Sequence, residues 1–343
     1  MPNETLNEAP PINHPGQQLG QMICGYWISQ SIYVAAKLGI ADELQKSPCT
    51  VKELAGRLSV NESALYRLLR ALASVGIFKE ESEGWFSLTP TAELLRHDHP
   101  ESKKAFATLS GALYQAWGNI EYAVKTGNQS FKETYKMPLF EFLTRNPEQG
   151  KIFDAAMTGI HGGETGPMLD AYDFSAFKTV ADIGGGNGLT LSVLLTRYPQ
   201  MKGILFDLPD VVKRSEANIK KSALAPRCAL TGGDFFKAVP QADAYVLRHI
   251  IHDWPDDQAV VLLKNCRAAM NKGGKVLIVE NVIPADNSPH FGKWLDLMML
   301  VIGGKERTEQ EYKILLRQAG LKMTRVIPTA LEISIVEGTT STA

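Results

Sequence analysis

Cysteine is scarce in this sequence, and the four present, Cys24, Cys49, Cys228 and Cys266, stand far apart. With no C-x-x-C pair, neither a zinc ribbon nor a disulfide framework is expected, and free thiols suit a reducing cytosol. Long apolar runs are missing too: stretches such as residues 297–302 fall far short of the ~20 residues that a membrane-spanning helix needs. The opening MPNETLNEAPPINHPG lacks the charged start and apolar stretch of a secretory leader. Charge of one sign is not in excess: 36 Lys plus Arg meet 37 Asp plus Glu, net −1, which leaves no overall field to hold a polyanion. No G-x-x-x-x-G-K-[ST] phosphate loop occurs. These absences point to a soluble, cytoplasmic protein that takes neither nucleic acid nor membrane as a partner.

What is present is an ordinary globular composition, 44% hydrophobic and 21% charged over 343 residues, enough for two domains at about 150 residues each. Residues 1–16 read as a disordered lead-in. In 17–38, Leu19, Ile23, Trp27, Ile32, Val34 and Ala35 are spread round a helix with few charges, which predicts burial in a core or against a second subunit. Thr50 and Glu53 form a capping box, and Asn61 can cap a second helix carrying Leu65, Leu68, Leu69 and Leu72. Gly76 ends that helix, and residues 77–79 and 85–88 flank a charged turn. Helix, turn, helix, hairpin is a winged helix. Arg67 and Arg70 could face DNA, but Glu80, Glu81 and Glu83 would repel its phosphates, so a structural or dimerising role is expected.

From residue 178 the pattern changes to short apolar strands at 179–183, 203–206, 228–230, 244–247 and 275–280, with later ones near 323–327 and 331–336. Helices fit between them. One runs over 255–270 and closes at Asn271-Lys272-Gly273-Gly274; another opens on the capping box Thr308-Glu309-Gln310-Glu311 and ends at Gly320. The fold class expected is therefore α/β, a doubly wound Rossmann-like sheet preceded by a mostly helical winged-helix domain. The divisions are 1–16 lead-in, 17–100 winged helix, 101–170 helical linker and substrate-pocket segment, and 171–343 catalytic domain.

Strand 179–183 runs into Gly184-Gly185-Gly186-Asn187-Gly188. Glycines at a first βα turn let backbone approach a ligand closely. Their G-x-G-x-G spacing departs from the dinucleotide fingerprint G-x-G-x-x-G and favours a smaller or zwitterionic group over a pyrophosphate. Asp207 closes the next strand, where an acid can accept from ribose hydroxyls. Asp234 ends the third, where it could accept from an adenine amino group, with Phe235 beside it to pack on the ring. Together they outline a nucleoside pocket at the strands' carboxyl ends.

The fourth strand leads into Arg248-His249-Ile250-Ile251-His252-Asp253-Trp254-Pro255. Pro255 suits a first helical position, leaving His252 just outside the strand end, where it could take a proton from a substrate hydroxyl. A zinc site is not expected, because His249 and His252 have no Cys or His partners at suitable spacing. Glu280, at the end of strand five, is the better placed acid to orient His252, whereas Glu306 alone reads as a surface salt bridge.

In order, the segments D-I-G-G-G-N-G, F-D-L-P-D-V, G-G-D-F-F, I-I-H-D-W, L-I-V-E-N and G-G-K-E-R-T resemble the S-adenosylmethionine-dependent O-methyltransferases of the caffeic-acid and hydroxyindole type, including bacterial members acting on polyketide and phenazine metabolites. The likeness covers nearly the whole chain, since those enzymes carry an N-terminal winged-helix dimerisation domain. It implies a homodimer with S-adenosyl-L-methionine as cofactor, Gly184 and Gly186 facing its methionine part, Asp207 on the ribose, Asp234 and Phe235 on the adenine, and Arg248 in contact with it. It also implies His252 as general base flanked by Glu280 and Glu306; no metal is expected, since the sequence shows no ligand cluster. Trp117, Phe153, Met157 and Met298 fall in the substrate-selecting segments. In plant relatives the stretch after Met157 holds a serine that contacts the cofactor; here His161, Gly162 and Gly163 occupy it. The expected reaction is methylation of a phenolic hydroxyl on a small aromatic or polyketide-like metabolite. N-methylation or other chemistry on the same fold, and a winged-helix regulator sensing the cofactor, are the alternatives.

Overall fold

The computed structural model describes residues 14–340. Most of the expected lead-in lies outside them. Its last residues are helical, because His14 accepts from the Gly16 amide and Pro15 pre-sets the first turn of the helix Pro15–Ile23. The apolar stretch read as one helix is broken at Cys24, and Gly25–Leu38 follows.

The chain forms two compact units, one from residues up to Tyr114 together with Asn146–Ile160, the other from Gln115–Arg145 together with His161 onward. In the first, both caps form as the sequence requires: Thr50 and Glu53 exchange hydrogen bonds at the head of Val51–Leu58, and Asn61 accepts from the Ala64 amide at the head of Glu62–Ala73. Strands Phe78–Ser82 and Trp85–Leu88 make the wing, and Cys49–Thr50 adds a third strand that the capping signal had concealed. Leu54, Leu69, Leu72, Phe78 and Phe86 are almost fully buried in its core, each contributing about 1.5–3 kcal/mol of apolar burial. On the exposed face of the second helix, the Arg70 guanidinium lies over the Tyr66 ring, 5.4 Å from its centre.

The second unit is built on a twisted sheet of β1 (Thr179–Ile183), β2 (Lys202–Asp207), β3 (Cys228–Gly232), β4 (Ala242–Arg248), β5 (Met270–Ile283), β6 (Leu321–Pro328) and β7 (Ile333–Thr340). The spatial order is 3-2-1-4-5-7-6; β1 to β5 are parallel, while β7 runs antiparallel to β5 and β6. Helices cover both faces, so β1 and β5 read as continuous apolar runs rather than alternating ones. The chain winds outward through β2 and β3, then returns to lay β4 on the other side of β1. That reversal opens a crevice at the carboxyl ends of β1 and β4.

The junction before β5 differs from expectation. The helix Asp256–Ala269 stops before the Asn271-Lys272-Gly273-Gly274 turn, and β5 already begins at Met270. Met270 pairs with Ala242, and a register shift between Ala242 and Ala244 absorbs the extra residues, with Gly273 at φ +78° supplying the kink. No helix among the described residues is long and apolar enough to cross a membrane.

Candidate active site

The glycine loop leaves β1 by a tight turn. Gly184 and Gly186 have φ of +68° and +55°, and the Gly184 amide donates to the Phe206 carbonyl at 2.8 Å. A Cβ on Gly184 would run into Ile250, whereas over Gly186 it would meet nothing within 4 Å. The first glycine thus lets the loop close on the β4 loop, and the second leaves open space above the backbone. Asp207 is fixed beside that space: its carboxylate oxygens accept from the Gly186 amide at 2.9 Å and the Leu208 amide at 2.7 Å. Burial raises its pKa. At the end of β3, Asp234 accepts from the Phe236 amide at 2.9 Å, and Phe235 packs edge-on against Phe236 and Trp254. Arg248 donates through Nη1 to the His161 carbonyl at 2.9 Å and to Thr165 Oγ1 at 3.2 Å.

Past β4, the single turn Ile251–Asp253 presents His252. Its Nδ1 lies 2.6 Å from Glu306 Oε1 and 3.2 Å from Glu280 Oε2. The other Glu280 oxygen accepts from the backbone amides of Ile250 and His252, at 3.1 and 3.2 Å, so one carboxylate shapes the loop and also faces the ring. Glu280 and Glu306 are 0% and 1% exposed, which corrects the surface reading of Glu306. Burial opposes a charged imidazole, but Glu280, Asp253 and Glu306 outweigh it and raise His252 to about 10. Glu280 is held down by His252 and His249 against its burial, whereas burial moves Glu306 up. The raised His252 thus favours a charged imidazole beside the carboxyl groups of Glu306 and Glu280.

The loop that brings Glu306 here is anchored by a fully buried arginine. Arg307 donates to the carbonyls of Ile251, Trp254 and Lys305 and to Asp256 Oδ1. The Lys305 amide donates to the His252 carbonyl at 2.7 Å, and a Cβ on Gly304 would collide with that same oxygen. The G-G-K-E-R-T segment is thus built to lie flat against the His252 loop.

Sequence reasoning missed Glu164 and the part played by His249. His249, at φ +53°, places Nε2 at 2.7 Å from Glu164 Oε2, and its Nδ1 is 3.7 Å from Glu280 Oε2. His161, 3.2 Å from the same Glu164 oxygen, stacks on His249. The positive φ hinted at nothing in the sequence, and Glu164 stands 85 residues from His249, beyond any spacing rule. Of the expected substrate contacts, Trp117 and Met298 belong to the second unit, while Phe153 and Met157 belong to the first.

The O-methyltransferase domain model matches residues 117–322, and the O-methyltransferase dimerisation domain model matches 21–98. The chain belongs to the O-methyltransferase family. The phenazine O-methyltransferase PhzM of Lysobacter antibioticus is 44% identical over 320 residues, 92% of this chain and 94% of that protein. A solved structure of LaPhzM, 44% identical, superposes with a TM-score of 0.90 over 94% of this chain and 98% of its own. The neocarzinostatin-pathway O-methyltransferase NcsB1, solved with S-adenosylmethionine and 2-hydroxy-5-methyl naphthoic acid, is 32% identical with a TM-score of 0.82, covering 91% of this chain and 95% of its own. This O-methyltransferase is an enzyme of the methyltransferase class, and S-adenosylmethionine is its methyl donor.

Proposed function

We propose that this enzyme methylates a phenolic hydroxyl of a small aromatic metabolite, with His252 as general base, and that it works as a cytoplasmic homodimer. The observation that carries this reading is the clamp on His252: with Nδ1 committed to Glu306 and Glu280, Nε2, 3.6 Å from Asp253 Oδ1, is the nitrogen left for a substrate.

The crevice fits the donor. Asp207, pinned by two amides, retains lone pairs for a ribose diol; the space above Gly186 admits a ligand against backbone; Phe235 offers an aromatic surface for an adenine, with Asp234 beside it. Gly184 and Arg248 border the same strand ends. S-adenosylmethionine supplies a methyl group made electrophilic by its sulfonium. The rest falls to the protein. A phenol has a pKa of about 10 and is a weak nucleophile while protonated. His252, raised to about 10, matches it, so the proton passes from the hydroxyl to Nε2 with little energetic cost. Glu306 and Glu280 hold the ring's orientation and stabilise the imidazolium that results. Base catalysis of this kind is worth ~10²–10⁴-fold. PhzM is named for a phenazine acceptor and NcsB1 was solved with a hydroxylated naphthoic acid, which supports an aromatic hydroxyl as the acceptor class.

His252→Ala is expected to keep S-adenosylmethionine binding, measured calorimetrically, and to lose about 10²-fold or more of kcat. Undiminished turnover would remove His252 as the base.

A further inference from the structure

His249 stands in a conformation that residues with a Cβ seldom adopt, at φ +53°, with its ring 8% exposed or less and its amide tied to the Val279 carbonyl of the adjacent strand. Such strain persists only where surrounding contacts hold it, and it clusters at working sites. Those contacts are two acids. Nε2 meets Glu164 Oε2 at 2.7 Å, and Nδ1, which has no hydrogen-bond partner, faces Glu280 Oε2 at 3.7 Å. Glu280 is the same carboxylate that lies 3.2 Å from His252 Nδ1.

His161, Glu164 and His249 have the donor types of a metal site, with ligand atoms within 4.8 Å of one another, but not the ring spacing of a zinc site. Two imidazoles on one tetrahedral zinc, at Zn–N of about 2.0–2.1 Å, place their ring centres roughly 5 Å apart. Here the rings stack at 3.8 Å, 29° from parallel. The cluster is an imidazole stack gripping a carboxylate, and Arg248 Nη1, 3.9 Å from that carboxylate, adds a further positive group.

We propose that His249 is a positioning residue of this reaction: a second imidazole that bridges Glu164 to Glu280 and sets the charge around His252. The inference rests on His252 being the base. The two glutamates outweigh burial and raise His249, while Glu164 is lowered to about 2 by His161 and His249 in spite of its burial. His161, depressed by burial to about 4, stays neutral and contributes its ring face and hydrogen bond. The groups facing His249 are therefore Glu164, His161 and Arg248 on one side and Glu280, His252, Asp253 and Glu306 on the other. Protonation of His249, which its two glutamates favour, offsets part of the negative charge of Glu280. Without it, Glu280 would hold the proton on His252 more firmly, and the base form would be scarcer at neutral pH.

The test is a pH titration of ¹³C-labelled histidine rings by NMR in the cofactor-free protein, beside kcat/KM against pH, for wild type, His249→Asn and Glu164→Gln. Asn tolerates a left-handed backbone, so His249→Asn removes the charge and keeps the turn; Glu164→Gln keeps the hydrogen bond and leaves His249 without its counter-charge. Both variants are expected to move the His252 midpoint and the rising limb of the rate profile upward by about one pH unit, with about tenfold lower kcat/KM at pH 7. Midpoints that coincide with wild type, with a uniform loss of rate or none, would overturn the proposal. His252→Ala is run alongside. Surviving methyl transfer in that variant, with the His252 midpoint displaced as expected in His249→Asn and Glu164→Gln, would refute the base role while leaving the charge coupling of His249 standing.

Discussion

An isolated imidazole titrates near pH 6.5 and is mostly neutral at pH 7. His252 is not isolated: burial pulls its pKa down, yet Glu280, Asp253 and Glu306 raise it to about 10. Because the native pKa lies above neutrality, the deprotonated form that can accept a substrate proton becomes commoner as pH rises. The rate should therefore climb with pH, by about tenfold per unit well below the midpoint. Glu306→Gln removes one of the acids that hold the proton, so its midpoint is expected to fall and its profile to flatten through pH 7–8. A stopped assay of kcat/KM between pH 6 and 10 reads this directly; an unmoved midpoint would show that Glu306 does not act on His252.

Two loops assemble this site, and each was legible to a different degree. The turn after β4 could be placed from Pro255 and the end of an apolar strand, because strand ends in a doubly wound sheet face one crevice. The doubly wound sheet and the glycine turn followed from the same rule. Glu306 could not be placed that way, since nothing local in G-G-K-E-R-T says that the segment is buried. Its position depends on Arg307 reaching the carbonyls of Ile251 and Trp254, 56 and 53 residues away, and that of Lys305 within the loop, and on Gly304 lying against His252. The Glu164, His161 and His249 cluster was illegible for the same reason: tertiary packing brings the partners together, and no spacing records it. Gly304→Ala tests the loop contact. Its methyl would push against the His252 carbonyl, separating Glu306 from the ring, so kcat should drop by about tenfold or more with a small change in thermal midpoint. Full activity would show that the two loops can part without harm to the base.

The two units divide the labour along the chain. The first carries a dimerisation domain, and its leading helices expose Leu19, Met22, Ile23, Tyr26 and Trp27, a run of large apolar side chains that a lone subunit would leave in water. Trp27→Glu is expected to halve the solution mass measured by light scattering, from dimer to monomer; a mass unchanged from wild type would place the subunit interface elsewhere. The second unit contains the whole polar assembly, from His161 and Glu164 to Glu280 and Glu306. Catalytic loops are commonly drawn from the parts of a protein that open first on warming. These loops are not of that kind, because a buried guanidinium and the amides of Ile250, His252 and Lys305 are bonded between them and the core strand β5. Heat should find no early local melting that disarms the base and spares the fold: the enzyme stays competent until its sheet gives way, and both are lost in one step.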